Sequence, residues 1–265
     1  MMVRVILVLL LPLNLFSQSF YAAPLQGMGN TGLAYANLYA FDHNAAVLPF
    51  LQSLEAGIAY QPHFLSNEIR SQALYLAARI PRGGIGLALQ NYGIPEVSSI
   101  NQISAAYSRS FGPKFASAIA INYHGFHVKN VISEQSYSLD LGFYYKLVNE
   151  FAVGAVWKNI SGVNYSDLID RSIDSRAGLG ARYTFSSDVS VASDLLYSRL
   201  QGLLYRVGVD YTMGKLVHFR TGLDTNPMIL TAGIGIIVKD WRVDLSTTYH
   251  RRLGTAPQIA LAYAF

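Results

Sequence analysis

The chain has 265 residues and a net charge of +4; 51% of it is apolar and only 14% charged, well under the quarter usual in soluble domains. It contains no cysteine, which excludes a disulfide framework, a thiolate metal site and a cysteine nucleophile. No basic run exceeds Arg251-Arg252, so the positive balance gives no nucleic-acid footprint, and no nucleic-acid partner is expected.

The chain begins MMVRVILVLLLPLNLFSQS, with Arg4 ahead of an apolar core from Val5 to Phe16 and small polar residues after it. This pattern reads as a secretory signal over 1–19, too short for a transmembrane helix. Cleavage is expected after Ser19, with Ala22 and Ala23 as the alternatives. No cysteine follows the core, so a bacterial lipoprotein anchor is excluded.

Residues 20–52 break the pattern of everything that follows. PLQGMGNTGLAYANLYAFDHNAAVLPFL carries glycines at 27, 29 and 32, then a mixed apolar stretch ending near Pro49. Glycines at this density allow tight turns and close backbone approach. A segment so apolar would not float free in water, which predicts a plug folded into the interior of whatever the remainder builds.

From residue 53 onward, segments of about ten residues alternate apolar with polar or small side chains. That is the signature of a transmembrane antiparallel β-barrel, an all-β fold. KFASAIAINYH sets Phe115, Ile119, Ile121 and Tyr123 opposite Ala116, Ala118, Ala120 and Asn122. Strands are predicted near 53–61, 69–80, 84–93, 101–111, 114–125, 134–147 and 150–160. Seven more follow near 174–185, 188–198, 202–213, 216–224, 228–238, 240–250 and 256–265. The total of about fourteen is even, as in bacterial single-chain barrels. Tight links such as PRG, GP, VNE, SSD, MGK and KD alternate with longer ones at QPHFLSNE, GIPEVSSI, GFHVKNVIS and SGVNYSDLIDRSI. Short turns on one side and longer loops on the other are expected of the periplasmic and extracellular ends. The final PQIALAYAF places Ile259, Leu261, Tyr263 and Phe265 on one face, expected to meet lipid. Tyrosines near strand ends, among them Tyr60, Tyr123, Tyr197 and Tyr249, are expected to form the interfacial girdle.

If the apolar faces look outward, the opposite faces line the lumen with charge: Arg206, Asp210, His218, Arg220, Asp224, Arg242 and Asp244, together with Asp140, Lys158, Arg176 and Asp194. Buried charges must be paired, and alternation of sign on neighbouring strands permits it. These residues are expected to form salt bridges that fill the barrel and hold the plug; a polar pathway for a solute is the sharper alternative. Gly233 and Gly235 are hints of a strand interruption that could open the wall. No G-x-S-x-G element occurs, and the six histidines lack a triad-like setting, so no enzyme activity is expected. HGFHV supplies two imidazoles without a third ligand, and Asp167, Asp170 and Asp174 read as a solvated acidic loop. No metal and no cofactor is expected.

The segment GMGNTGLA followed by YAFDHNAAVLPF resembles the N-terminal signature of the FadL-like barrel superfamily, closest to its PorV/PorQ branch in Bacteroidota. Gly27, Met28 and Gly29 match the first element. Asn44 and Ala46 match the second, with Ala45 where that family has proline. The resemblance implies a fourteen-strand barrel with an N-terminal hatch in the outer membrane of a Gram-negative bacterium. It also implies an accessory role in type IX or related protein secretion, with a larger translocon barrel or a secreted cargo protein as partner beside the membrane lipid. The FadL-like alternative is transport of a hydrophobic small molecule across that membrane. The short outer loops favour the accessory role.

Overall fold

In the computed structural model, residues 20–63, 68–166, 172–250 and 254–265 are described; the expected signal over 1–19, Asp167 and Asp170 lie outside them. Fourteen strands form among these residues. They are β1 (Glu55–Pro62), β2 (Arg70–Ile80), β3 (Gly83–Ile94), β4 (Ser98–Phe111), β5 (Phe115–Val128), β6 (Ile132–Lys146) and β7 (Phe151–Lys158), then β8 (Arg176–Thr184), β9 (Val189–Ser198), β10 (Gly202–Met213), β11 (Val217–Thr225), β12 (Met228–Val238), β13 (Trp241–His250) and β14 (Gly254–Ala264). Each pairs antiparallel with its sequence neighbours, and β1 closes on β14 from Glu55↔Ala264 to Tyr60↔Ile259. Closure removes both sheet edges, the one way a sheet can satisfy its backbone groups in hydrocarbon. No described helix is long and apolar enough to cross a membrane.

The two-residue period explains which face is which. Ile119 and Ile121 on β5, Leu203 and Tyr205 on β10, and Leu245 on β13 are exposed on the outside. Their neighbours Ala118, Ala120, Leu204, Arg206 and Asp244 are buried inside. An outer surface this apolar is stable only against lipid. Rings gather at both ends of the band: Tyr60, Tyr137, Tyr197 and Tyr249 toward one rim, Phe111, Tyr183, Trp241 and Phe265 toward the other. Trp241 and Tyr263 lie 4.7 Å apart there, and Tyr263 and Phe265 4.8 Å. The terminal strand faces outward as its alternation predicts.

Two of the predicted long links are corrected. GIPEVSSI and GFHVKNVIS are mostly strand: β3 runs to Ile94 and β4 starts at Ser98, while β5 runs to Val128 and β6 starts at Ile132. Only tight turns remain, with Glu96 and Asn130 at φ +62° and +60°. Above the tyrosine girdle these strands stand in water, so the outward face carries His127, Ser133 and Gln135 rather than apolar residues. The alternation that announces a strand is lost, although the ladder of hydrogen bonds continues.

The wall is consequently uneven. The β5–β6 ladder runs over fourteen residue pairs, whereas β6 and β7 pair only from Leu141↔Trp157 to Lys146↔Ala152. Among the described residues, 132–140 of β6 thus have no strand partner on the β7 side. Asn159 and Ile160 take that place, with their N–H groups donating to Asp140 Oδ1 (2.7 Å) and the Leu139 carbonyl (2.9 Å). Gly233 and Gly235, by contrast, sit in an unbroken β12 ladder on both sides.

The core lies inside the barrel and is supplied by residues 20–51. A short helix α1 (Ala23–Gln26) begins with Pro24 in its first turn, where a missing N–H costs nothing. Two 3₁₀ segments follow, Leu38–Asp42 and Ala45–Phe50. They are capped by the side chains of Asn37 and Asn44, which accept from the N–H groups of Tyr39 and Ala46. Leu38, Tyr39, Phe41, Val47 and Leu48 are fully buried against lumen-facing alanines and Tyr75.

Candidate lumenal site

The GMG motif lies flat on the barrel wall. Gly29 adopts φ +67°, a left-handed conformation that favours glycine. Its N–H donates to Thr231 Oγ1 (2.9 Å), and the same hydroxyl donates to the Gly27 carbonyl (3.1 Å). The wall is bare at this point. A Cβ on Gly222 would lie 2.2 Å from Gly29 N, and one on Gly208 would lie 2.2 Å from Met28 O. Gly208 and Gly222 pair directly across β10 and β11, forming a trough only backbone can occupy. Met28 is fully buried beside it.

The second predicted element also binds the wall. Asn44 Nδ2 donates to the Leu33 carbonyl (2.7 Å) and to the Phe143 carbonyl of β6 (3.0 Å), while its Oδ1 caps Ala46. Ala46 is fully buried among the apolar residues of the segment.

The predicted lumen charges divide into two groups. Arg206 and Asp224 pair at 2.8 Å and grip the segment: Arg206 donates to Tyr21 Oη (2.6 Å) and the Asn30 carbonyl (3.3 Å), and Asp224 accepts from Asn30 Nδ2 (3.1 Å). His218, Asp210, Arg220 and Asp244 instead form a chain along the wall. Asp210 meets His218 at 3.0 Å and Arg220 at 3.4 Å, and Arg220 reaches Asp244 at 2.5 Å. That last bond spans β12 where Gly235 leaves the room, since a Cβ there would lie 2.3 Å from Asp244 Oδ1. The glycine makes space for an ion pair and does not mark an opening. Arg242 stands apart, with Nη1 buried and unpartnered.

Further contacts with the segment come from Asp194 and Lys158, expected among the lumen charges, and from Ser246 and Gln90, which the sequence did not single out. Asp194 accepts from the N–H groups of Gly32 and Leu33 (2.8 and 3.2 Å), and Ser246 donates to Gln26 (2.8 Å). Lys158 Nζ donates to the Asp42 carbonyl (2.5 Å), and Gln90 Nε2 to Asp42 Oδ2 (2.6 Å). Asp174, expected in a solvated loop, is bonded to Arg176 and Ser198. None of these has a spacing rule that sequence could reveal, because their partners are more than a hundred residues away in several cases.

Outward of the segment lies a cavity of about 80 Å³. Its floor is Phe20, Asp42 and His43; its walls include Asn122, His124, Ser138 and Asp140; Asn159, Tyr165 and Ile173 lie on the side where β6 lacks a strand partner. His43 stacks on Tyr21 at 3.9 Å. Burial, with Lys158, Arg206 and Arg176 nearby, holds its imidazole well below the usual histidine range. Burial pushes the Asp42 carboxyl upward, only partly offset by Lys158.

No family model matches the sequence, and no curated protein does. Solved structures do match. CymD, a monoaromatic hydrocarbon channel, is 16% identical with a TM-score of 0.65, over 94% of this chain and 99% of that one. The toluene transporter TodX of Pseudomonas putida is 14% identical with a TM-score of 0.66, over 93% and 98%. A FadL homologue from Pseudomonas aeruginosa is 10% identical with a TM-score of 0.68, over 94% and 99%. At such identities the likeness is one of fold: a closed, antiparallel fourteen-strand barrel.

Proposed function

We propose that this chain is a passage for a hydrophobic small molecule across the outer membrane of a Gram-negative bacterium, closed at rest by residues 20–52 acting as a plug. The observation that carries this reading is the juxtaposition of three things. The lumen is blocked by the chain's own N-terminal segment, a cavity sits on the outer side of the block, and the wall beside that cavity lacks strand pairing between β6 and β7. A solute held there would leave past Asn159 and Ile160 toward lipid by displacing the hydrogen bonds that now fill that stretch, since the segment blocks the way straight through the core. The fold neighbours CymD, a monoaromatic hydrocarbon channel, and TodX, a toluene transporter, support the same class of solute. Fold alone does not fix function. The accessory role in secretion implied by the PorV/PorQ resemblance rests on about thirty residues, and no feature of the barrel favours it over a channel.

The test is uptake across an intact outer membrane. Expression of the chain should raise toluene uptake several-fold over a strain lacking it, and deleting residues 20–50 should open a conductance in planar bilayers. Unchanged uptake, with a larger barrel or secreted protein copurifying in stoichiometric amount, would replace this reading by the accessory one.

A further inference from the structure

The outer face of β2–β5 shows where lipid ends. Leu74, Leu89, Ile103 and Tyr123 lie in register across the four strands and form the last apolar row. Two residues further along each strand the row is Gln72, Asn91, Asn101 and Gly125. Two residues beyond that it is Arg70, Gly93, Ser99 and His127. At about 3.4 Å per residue the outermost row stands about 14 Å along the strands past Tyr123, and less along the membrane normal because barrel strands tilt. That is headgroup depth, within reach of cationic side chains that bend back toward the interface. The same rim bears the long link between β7 and β8, which marks it as the extracellular one.

A hollow of about 400 Å³ opens on this outermost row. Arg70 of β2, Glu96 of the β3–β4 turn, and His127 and Lys129 at the end of β5 line it. Gly93 and Ser99, between the cations in the row, add little bulk. Among the described residues neither Arg70 nor Lys129 joins an ion pair, whereas the lumen cations Lys158, Arg176, Arg206 and Arg220 all do. Glu96 is the one described carboxylate against the hollow, set against two fixed cations and an imidazole. Unpaired cations gathered at one hollow, level with the headgroups, fit an anion presented in the plane of the membrane.

We propose that this hollow holds a phosphorylated sugar headgroup of an outer-leaflet lipid. Arg70 and Lys129 receive the phosphate, for which a guanidinium fork and an ammonium are suited. Asn91 and Ser99, lining the same space, bond the sugar hydroxyls. A zwitterionic headgroup is a poorer match, because its ammonium meets the same cations. The space suits one headgroup, since small-molecule sites run from about 300 to 1,000 Å³. The proposal needs the barrel in its membrane and not the passage reading, so either can fail without the other.

The test uses the intact, delipidated protein in a neutral detergent, with binding followed by native mass spectrometry and calorimetry. The probes are lipid A carrying two phosphates, the same lipid A with both phosphates removed, phosphatidylethanolamine and inorganic phosphate. Phosphorylated lipid A is expected to bind at least tenfold more tightly than the other three. The double variant Arg70→Gln/Lys129→Gln should lose at least tenfold of that affinity. Lys215→Gln/Lys239→Gln, which removes equal charge from exposed turns at the opposite rim, should lose none. The ranking of probes on the unaltered protein needs no variant, so a poorly folding double variant does not protect the idea. Equal binding of the two lipid A forms would overturn it, as would equal losses in the two double variants. Inorganic phosphate binding as tightly as phosphorylated lipid A would assign the hollow to a free anion and overturn the lipid.

Discussion

A close backbone approach adds to the side-chain contacts that seat the plug. GMG is visible in the sequence as a dense group of glycines, but the trough that receives it is not, because Gly208 and Gly222 are far away in sequence and look like ordinary strand glycines. Asp42 and His43 were equally silent: a carboxylate and an imidazole in an apolar stretch have no spacing that announces a cavity floor. The trough is open to direct test. Gly222→Val puts carbon where Gly29 N now lies, and neither partner is a flexible side chain that can yield. Overpacking of this kind costs about 1–3 kcal/mol, enough to lift the 27–29 backbone while the outer ladder stays paired. Protease cleavage within residues 20–50 should rise about tenfold, with the β-sheet circular-dichroism signal unchanged. Unaltered protection would mean that the motif is not what anchors the plug.

At the scale of the strand, sequence carried most of what the structure shows. A half-buried strand repeats every two residues whichever side faces lipid, so fourteen segments and their faces could be read directly. The ends could not, because beside β3–β6 the strands leave lipid and their outer face turns polar. The charge ladder was legible as composition and not as pairing: Arg220 on β11 reaches past β12 to Asp244 on β13, a partner set by register and by Gly235. Removing one member of a buried pair leaves the other uncompensated, typically at a cost of about 3–5 kcal/mol, whereas replacing both by apolar groups can be nearly neutral. Asp244→Leu should therefore lower the stability by an amount near the lower end of that range, read as a fall in the thermal midpoint, since Asp210 still faces Arg220. The double variant Arg220→Met/Asp244→Leu should recover part of the loss. Equal losses for single and double variants would mean that the pair contributes only by filling space.

For the whole molecule the question is what shifts the balance between a seated and a displaced plug, and protons must do so. His43 is buried beside Lys158, Arg206 and Arg176 while seated, so it resists protonation; once displaced into water it returns to an ordinary imidazole near pH 6.5. The displaced state then binds more protons, and seating is fully favoured above about pH 6.5 and weakens as pH falls through that value, by at most about tenfold per pH unit for one proton. Asp42 works in the opposite sense. Its carboxyl is raised when seated, so the seated state holds the extra proton, and acid restores some of the seating that His43 loses. The two groups oppose each other, and the single variants separate their contributions. The histidine contribution raises conductance or protease access of the barrel between pH 7.5 and 5.5. His43→Gln should flatten that dependence, and Asp42→Asn should steepen it by removing the opposing group. A dependence that survives in His43→Gln would place the proton on another residue; none in the intact protein would mean that the plug is held too firmly for a single imidazole to matter.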